Sequence, residues 1–139
     1  MFRFLLRVRY GDTDQMGFAY YANYLRWFEI GRAEMMRSLG TSYRAIEDSG
    51  IRLPVMEAHC RYLEPALYDD EVAIETGVAE EGRARVRFAY RIVRVADGAL
   101  LAHGGTEHCY LDAGGRPVRP SPLLKELLLR APRAQAPSD

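Results

Sequence analysis

Residues 22–40, ANYLRWFEIGRAEMMRSLG, decide the fold class, because their apolar positions recur at three- and four-residue spacing. Tyr24, Leu25, Phe28, Gly31, Met35, Met36 and Leu39 form one stripe, and Gly40 offers a C-terminal cap. The pattern predicts a helix from Ala22 to Leu39. Gly31 costs that helix roughly 1 kcal/mol of propensity relative to Ala. Its place on the stripe predicts that a strand backbone passes close by.

Outward from this helix the period becomes two. Phe2, Phe4, Leu6, Val8 and Tyr10 alternate with Arg3, Leu5, Arg7 and Arg9, which predicts a half-buried strand over Phe2–Tyr10. After Gly40, Thr41 is expected to cap a short helix through Glu47, and Asp48-Ser49-Gly50 ends it. Val55–Leu63, Glu71–Ala79, Ala84–Val95 and Leu100–Leu111 then read as strands, separated by turn chemistry at Pro65–Asp70, Glu80–Arg83 and Asp97-Gly98. Pro117, Pro120 and Pro122 break the pattern, Leu123–Arg130 reads as a terminal helix, and Ala131–Asp139 as a disordered tail. A strand, a long helix and four more strands imply an antiparallel sheet wrapped on a central helix, an α+β fold.

At 139 residues the chain suits a single domain. Its 19 basic and 19 acidic residues cancel, so neither nucleic acid nor a membrane is expected as a partner, and an anionic ligand must be held locally. Arg3 and Arg7 interrupt the first apolar residues, which removes a signal-peptide reading and points to a cytoplasmic protein. Cys60 and Cys109 lack C-x-x-C spacing and read as free thiols. His59 and Cys60 are adjacent, and an odd separation puts His103 and His108 on opposite strand faces, so no metal constellation forms. Each histidine is expected to be a satisfied surface or interface residue. No phosphate-cradling G-x-x-x-x-G-K or G-x-G-x-x-G is present.

The chemistry-bearing stretch is Tyr10–Gly17, YGDTDQMG, followed by the aromatic run Phe18–Tyr24, FAYYANY. It sets the Asp14 carboxylate in a tight turn ahead of a helix start, where unpaired amides stabilise anions. From the turn alone, an ordinary turn or N-cap acid is the better account of Asp14. Asp12 reads as structural, bonding loop amides, and Gly17 as a turn glycine or a point of close substrate approach.

Together with Leu53-Pro54-Val55 and Tyr62–Asp70 (YLEPALYDD), this stretch resembles the signature of the 4-hydroxybenzoyl-CoA thioesterase family of the hotdog fold. The resemblance implies one hotdog thioesterase domain over residues 1–130. It implies an acyl-CoA substrate, cleaved to CoA and a carboxylic acid without metal or organic cofactor, and a homodimer or homotetramer with sites at subunit interfaces. It makes Asp14 the nucleophile or general base, with helix-entry amides near Tyr21–Tyr24 as oxyanion donors. Tyr21 stands where one large branch carries His, so the chain is closer to the aryl-CoA branch. Its phenol, with a pKa of about 10, is a poor base but can orient substrate. Tyr24 and Gly17 join it as substrate contacts, Asn23 fixes the helix entry, and Tyr20 and Trp27 add to an aromatic setting for an aryl or medium-chain acyl group. Arg83 and Arg85, alternating with Arg87, are the implied contacts to CoA phosphates. Glu29 and Arg32 read as a local ion pair on the helix, with Glu29 in reserve for catalysis. Three other readings stay open: a hotdog dehydratase or isomerase, against which Tyr21 in place of His argues, a non-catalytic acyl-CoA-binding module, and a thioesterase acting on acyl-carrier protein.

Overall fold

The computed structural model describes residues 1–134. Its elements are β1 (Phe2–Arg7), α1 (Asn23–Ser38), α2 (Tyr43–Asp48), β2 (Val55–Tyr62), β3 (Glu71–Glu81), β4 (Arg85–Arg94), β5 (Leu100–Cys109) and α3 (Pro122–Arg130). The strands form one antiparallel sheet in the order β1-β3-β4-β5-β2, with α1 on one face. The expected α+β arrangement is therefore observed.

The stripe on α1 drives this packing by burying apolar area against the sheet. Tyr24, Trp27, Phe28, Met35 and Met36 are all buried, and Phe28 stacks on Tyr90 of β4 with ring centroids 4.4 Å apart. A β-carbon on Gly31 would sit 2.6 Å from Cγ2 of Ile74, and it would also collide with Oγ1 of Thr76. The close neighbours of Gly31 are thus β3 side chains, not the strand backbone that its position predicted.

Two boundaries differ from expectation for local reasons. At the end of α1, Gly40 at φ +88° donates its amide to Arg37 O at 3.0 Å, and Thr41 donates to Met36 O at 3.3 Å. This paired closure makes Thr41 part of the end of α1. Ser42 caps α2 instead, its Oγ accepting from Ala45 N at 3.1 Å. β1 ends at Arg7, and after Val8 exchanges backbone bonds with Asp69 and Asp70 the chain enters a 3-10 turn at Tyr10–Asp12. Tyr10, expected on the inner face, is consequently 79% exposed.

The two sides of the sheet are finished differently. β1 covers β3 only as far as Thr76; beyond it Arg133 bridges Val78 in parallel, and Ala131 is buried. The first residues of the expected tail therefore pack on β3, while 135–139 lie outside the described residues. β2, at the opposite edge, is exposed along almost its whole length, with Val55 and Met56 both 51% exposed.

Candidate active site

Asp14 sits in a loop closed by an antiparallel bridge between Thr13 and Ala19. Asp14 N donates to Phe18 O at 2.8 Å, Gly17 N donates to Asp14 O at 3.0 Å, and Gly17 adopts φ +80°. Glycine reaches that conformation without the clash a side chain brings. The Asp14 carboxylate is oriented by main-chain donors: Oδ1 accepts from Met16 N at 2.9 Å and from Phe18 N at 3.4 Å. Among the described residues Oδ2 has no donor, which leaves it to the cavity that Asp14 lines.

Asp14 is not a helix cap. α1 begins at Asn23, and no side chain caps it. Asp12 is the structural acid, its Oδ2 accepting from Arg9 N at 2.9 Å. Its carbonyl accepts from Tyr20 N at 2.8 Å and from Nδ2 of Asn23 at 2.9 Å, so Asp12 and Asn23 together fix the helix entry. Asn23 N and Tyr24 N already donate, to the carbonyls of Tyr20 at 2.9 Å and Tyr21 at 3.3 Å. Of the four amides expected to face an oxyanion, those of Tyr21 and Ala22 remain.

The cavity measures about 370 Å³. Met16, Phe18, Tyr21 and Tyr24 line one side, and the segment Tyr62–Pro65 forms the other. The sequence marked that segment as part of the family resemblance, but not as a wall of the site. Long-range pairing brings it here: Phe18 bridges Leu67, Ala19 N donates to Ala66 O at 2.8 Å, and the Tyr62 hydroxyl donates to Tyr21 O at 2.8 Å. Tyr24 is buried, and its hydroxyl accepts from Ala66 N at 3.1 Å, so it is a fixed wall; burial pushes its phenol pKa up. Trp27 lies behind it in the core, ring centroids 4.7 Å apart.

The model of the thioesterase-like superfamily matches residues 8–131. The chain belongs to this superfamily. It is similar to the acyl-CoA thioester hydrolase YbgC of Escherichia coli O157:H7, at 34% identity over 101 residues that cover 73% of this chain and 75% of the relative. Among solved structures, a protein of Aquifex aeolicus superposes with a TM-score of 0.87 at 30% identity, covering 92% of this chain and 99% of its own. The DHNA-CoA thioesterase of Staphylococcus aureus gives 0.79 at 32% identity, covering 84% and 78% respectively. The fold of this superfamily member is the hotdog.

Other expected site residues of this thioesterase-like protein lie elsewhere. Arg85 starts β4, 3.3 Å from Glu107, and Arg83 lines a cavity of about 420 Å³ at the β3–β4 turn with Arg119 and Lys125. Asp14 follows β1, whose last residue pairs with Glu71 at the start of β3, whereas Arg83 follows the end of β3 at Glu81. At about 3.4 Å per residue, β3 separates them by roughly 30 Å. Within one chain the arginines and Asp14 are not brought together.

Arg32 departs from the surface ion pair expected with Glu29. On the inward stripe after Phe28 and Gly31, it is buried and donates to the Tyr90 hydroxyl at 2.8 Å. A polar chain continues from Tyr90 to Oγ1 of Thr106 at 2.6 Å, from Thr106 to Nε2 of His108 at 2.8 Å, and from Nδ1 of His108 to Leu53 O at 3.0 Å. The Leu53 carbonyl only accepts, so Nδ1 carries the proton and every link donates in one direction. His108 is thus a satisfied core residue, not a surface one, and burial depresses its pKa to about 4 with the Arg32 charge adding to the effect. Among the described residues no group of three His, Cys, Asp or Glu is placed to hold a metal, and no helix is long and apolar enough to cross a membrane.

Proposed function

We propose that the protein is an acyl-CoA thioesterase of the 4-hydroxybenzoyl-CoA type, with Asp14 as its reacting carboxylate. The observation that carries this reading is the Asp14 carboxylate, anchored through Oδ1 by two loop amides at an aromatic cavity that Tyr21 also lines. The thioester carbonyl oxygen would accept from the Tyr21 and Ala22 amides, which offset the charge that develops on it. Asp14 then acts in one of two ways. It attacks the carbonyl carbon, expelling CoA thiolate and leaving an anhydride that water hydrolyses; or it takes a proton from water, whose hydroxide attacks while the C–S bond breaks and the thiolate is reprotonated.

The aromatic walls support an aryl or medium-chain acyl group, as do the names of relatives that act on 1,4-dihydroxy-2-naphthoyl-CoA. Tyr21, exposed at the rim, is assigned an orienting role, and Gly17 and Tyr24 shape the acyl contact. A homodimer reconciles the distant arginines with the site. If two exposed β2 edges pair antiparallel, the partner's β4 lies three strand spacings from β2 of this chain, about 14 Å, with its start beside this chain's Tyr62. Arg83 and Arg85 of one chain would then meet the phosphates of CoA bound at Asp14 of the other.

The test is free-thiol release from short, medium, long and aromatic acyl-CoAs by the parent and Asp14→Asn, both shown to be folded. Asp14→Asn is expected to lower turnover by at least ~10²-fold. Full activity in the folded variant would overturn the mechanism. Saturable binding with no turnover by the parent would favour the acyl-CoA-binding module.

A further inference from the structure

Among the described residues, Glu64 is the one charged side chain that lines the cavity alongside Asp14. Among the described residues its carboxylate makes no ion pair, so its charge is not neutralised locally. Arg94 reaches that wall, donating to Pro65 O at 3.2 Å. Arg94 is already matched by Asp70 at 3.3 Å and Asp97 at 2.9 Å. The chamber that would receive the acyl group therefore combines aromatic and aliphatic walls with two carboxylates and, among the described residues, no cation in its lining. An uncharged acyl group meets apolar surface there. An acyl group ending in its own carboxylate meets like charge from both Asp14 and Glu64, at separations short enough for Coulomb repulsion to be felt. Specificity of this kind comes from repelling the wrong ligand as much as from contacting the right one.

We infer that Glu64 is a specificity-determining residue that restricts the site to uncharged acyl groups and turns away dicarboxylic acyl thioesters of the same length. The inference rests on the thioesterase reading, since it takes the cavity at Asp14 to be the acyl chamber.

The test pairs butyryl-CoA with succinyl-CoA, which differ in a terminal carboxylate, and the matching non-hydrolysable thioethers S-butyl-CoA and S-(3-carboxypropyl)-CoA. Binding by calorimetry and hydrolysis are followed in the parent and in Glu64→Gln. The parent is expected to prefer the uncharged member by at least ~10-fold in Kd and in kcat/KM. Glu64→Gln is expected to shrink that preference severalfold, mainly through the charged ligand. Equal affinities in the parent, or a preference unchanged in Glu64→Gln, would overturn the inference. Discrimination in binding with no hydrolysis of either ester, nor of the medium-chain and aromatic acyl-CoAs, would sink the thioesterase reading and leave the role of Glu64 standing; failure of both thioethers to bind would overturn both.

Discussion

The Tyr62 hydroxyl donates to the Tyr21 carbonyl at 2.8 Å, tying the last residue of β2 to the turn that leads into α1. This bond joins residues 41 apart in sequence and holds the two walls of the Asp14 cavity at a fixed spacing. Tyr62→Phe removes the bond and the hydroxyl's interaction with the Cys60 thiol, and keeps the ring. Because Tyr62 is 45% exposed, stability should fall by no more than about 1 kcal/mol. The kcat/KM on the best acyl-CoA should fall severalfold, since a displaced wall misplaces the bound acyl group. Steady-state kinetics beside a urea midpoint separate the two effects, and an unchanged kcat/KM would show that the bond does not position substrate.

Gly31→Ala sets two effects against each other. Alanine gains roughly 1 kcal/mol of helix propensity. Against this, its methyl meets Ile74 and Thr76, both fully buried β-branched residues with little rotamer freedom to yield. Overpacking of this kind costs ~1–3 kcal/mol. Net destabilisation is expected, read as a lower urea midpoint with an unchanged slope; a more stable variant would mean that α1 can shift away from β3.

His108 gives stability a pH dependence whose sign follows from its neutral burial. Its folded-state pKa, about 4, lies below the ordinary 6.5, so the unfolded chain binds the extra proton first as pH falls. The contribution is therefore complete above about pH 6.5 and is lost progressively as pH drops toward 4, by up to about 3 kcal/mol. Urea unfolding from pH 7.5 to 4 should show a shallower dependence in His108→Gln than in the parent. Parallel profiles would show that carboxylates alone set the acid sensitivity.

The sequence shows the parts of the molecule that depend on local periodicity. The helical stripe of 22–39 and the alternating strands need no tertiary information, and Gly31 marked the close approach of α1 to β3, although it misidentified side chains as backbone. Arg32 escaped because a charge after Phe28 and Gly31 looks like an i, i+3 partner for Glu29; its inward turn depends on Tyr90 and Thr106, contributed by strands far along the chain. The role of Tyr62–Pro65 as a wall was hidden for a related reason, since long-range pairing of Phe18 with Leu67, Ala19 with Ala66 and Tyr62 with Tyr21 carries it over Asp14. The sheet register sets the distance of Arg83 and Arg85 from Asp14, and their alternation says nothing about which end of the sheet they occupy.

The Asp14 carboxylate takes its orientation from the amides of Met16 and Phe18, groups that every residue except proline provides. The identities of Gln15, Met16 and Phe18 are therefore free to drift under selection for other traits, such as the width of the cavity, without disturbing the aim of the Asp14 carboxylate. The length of the segment between Thr13 and Ala19 has no such freedom. One residue added or lost moves both amides away from Oδ1, so the site is robust to substitution and brittle to insertion or deletion.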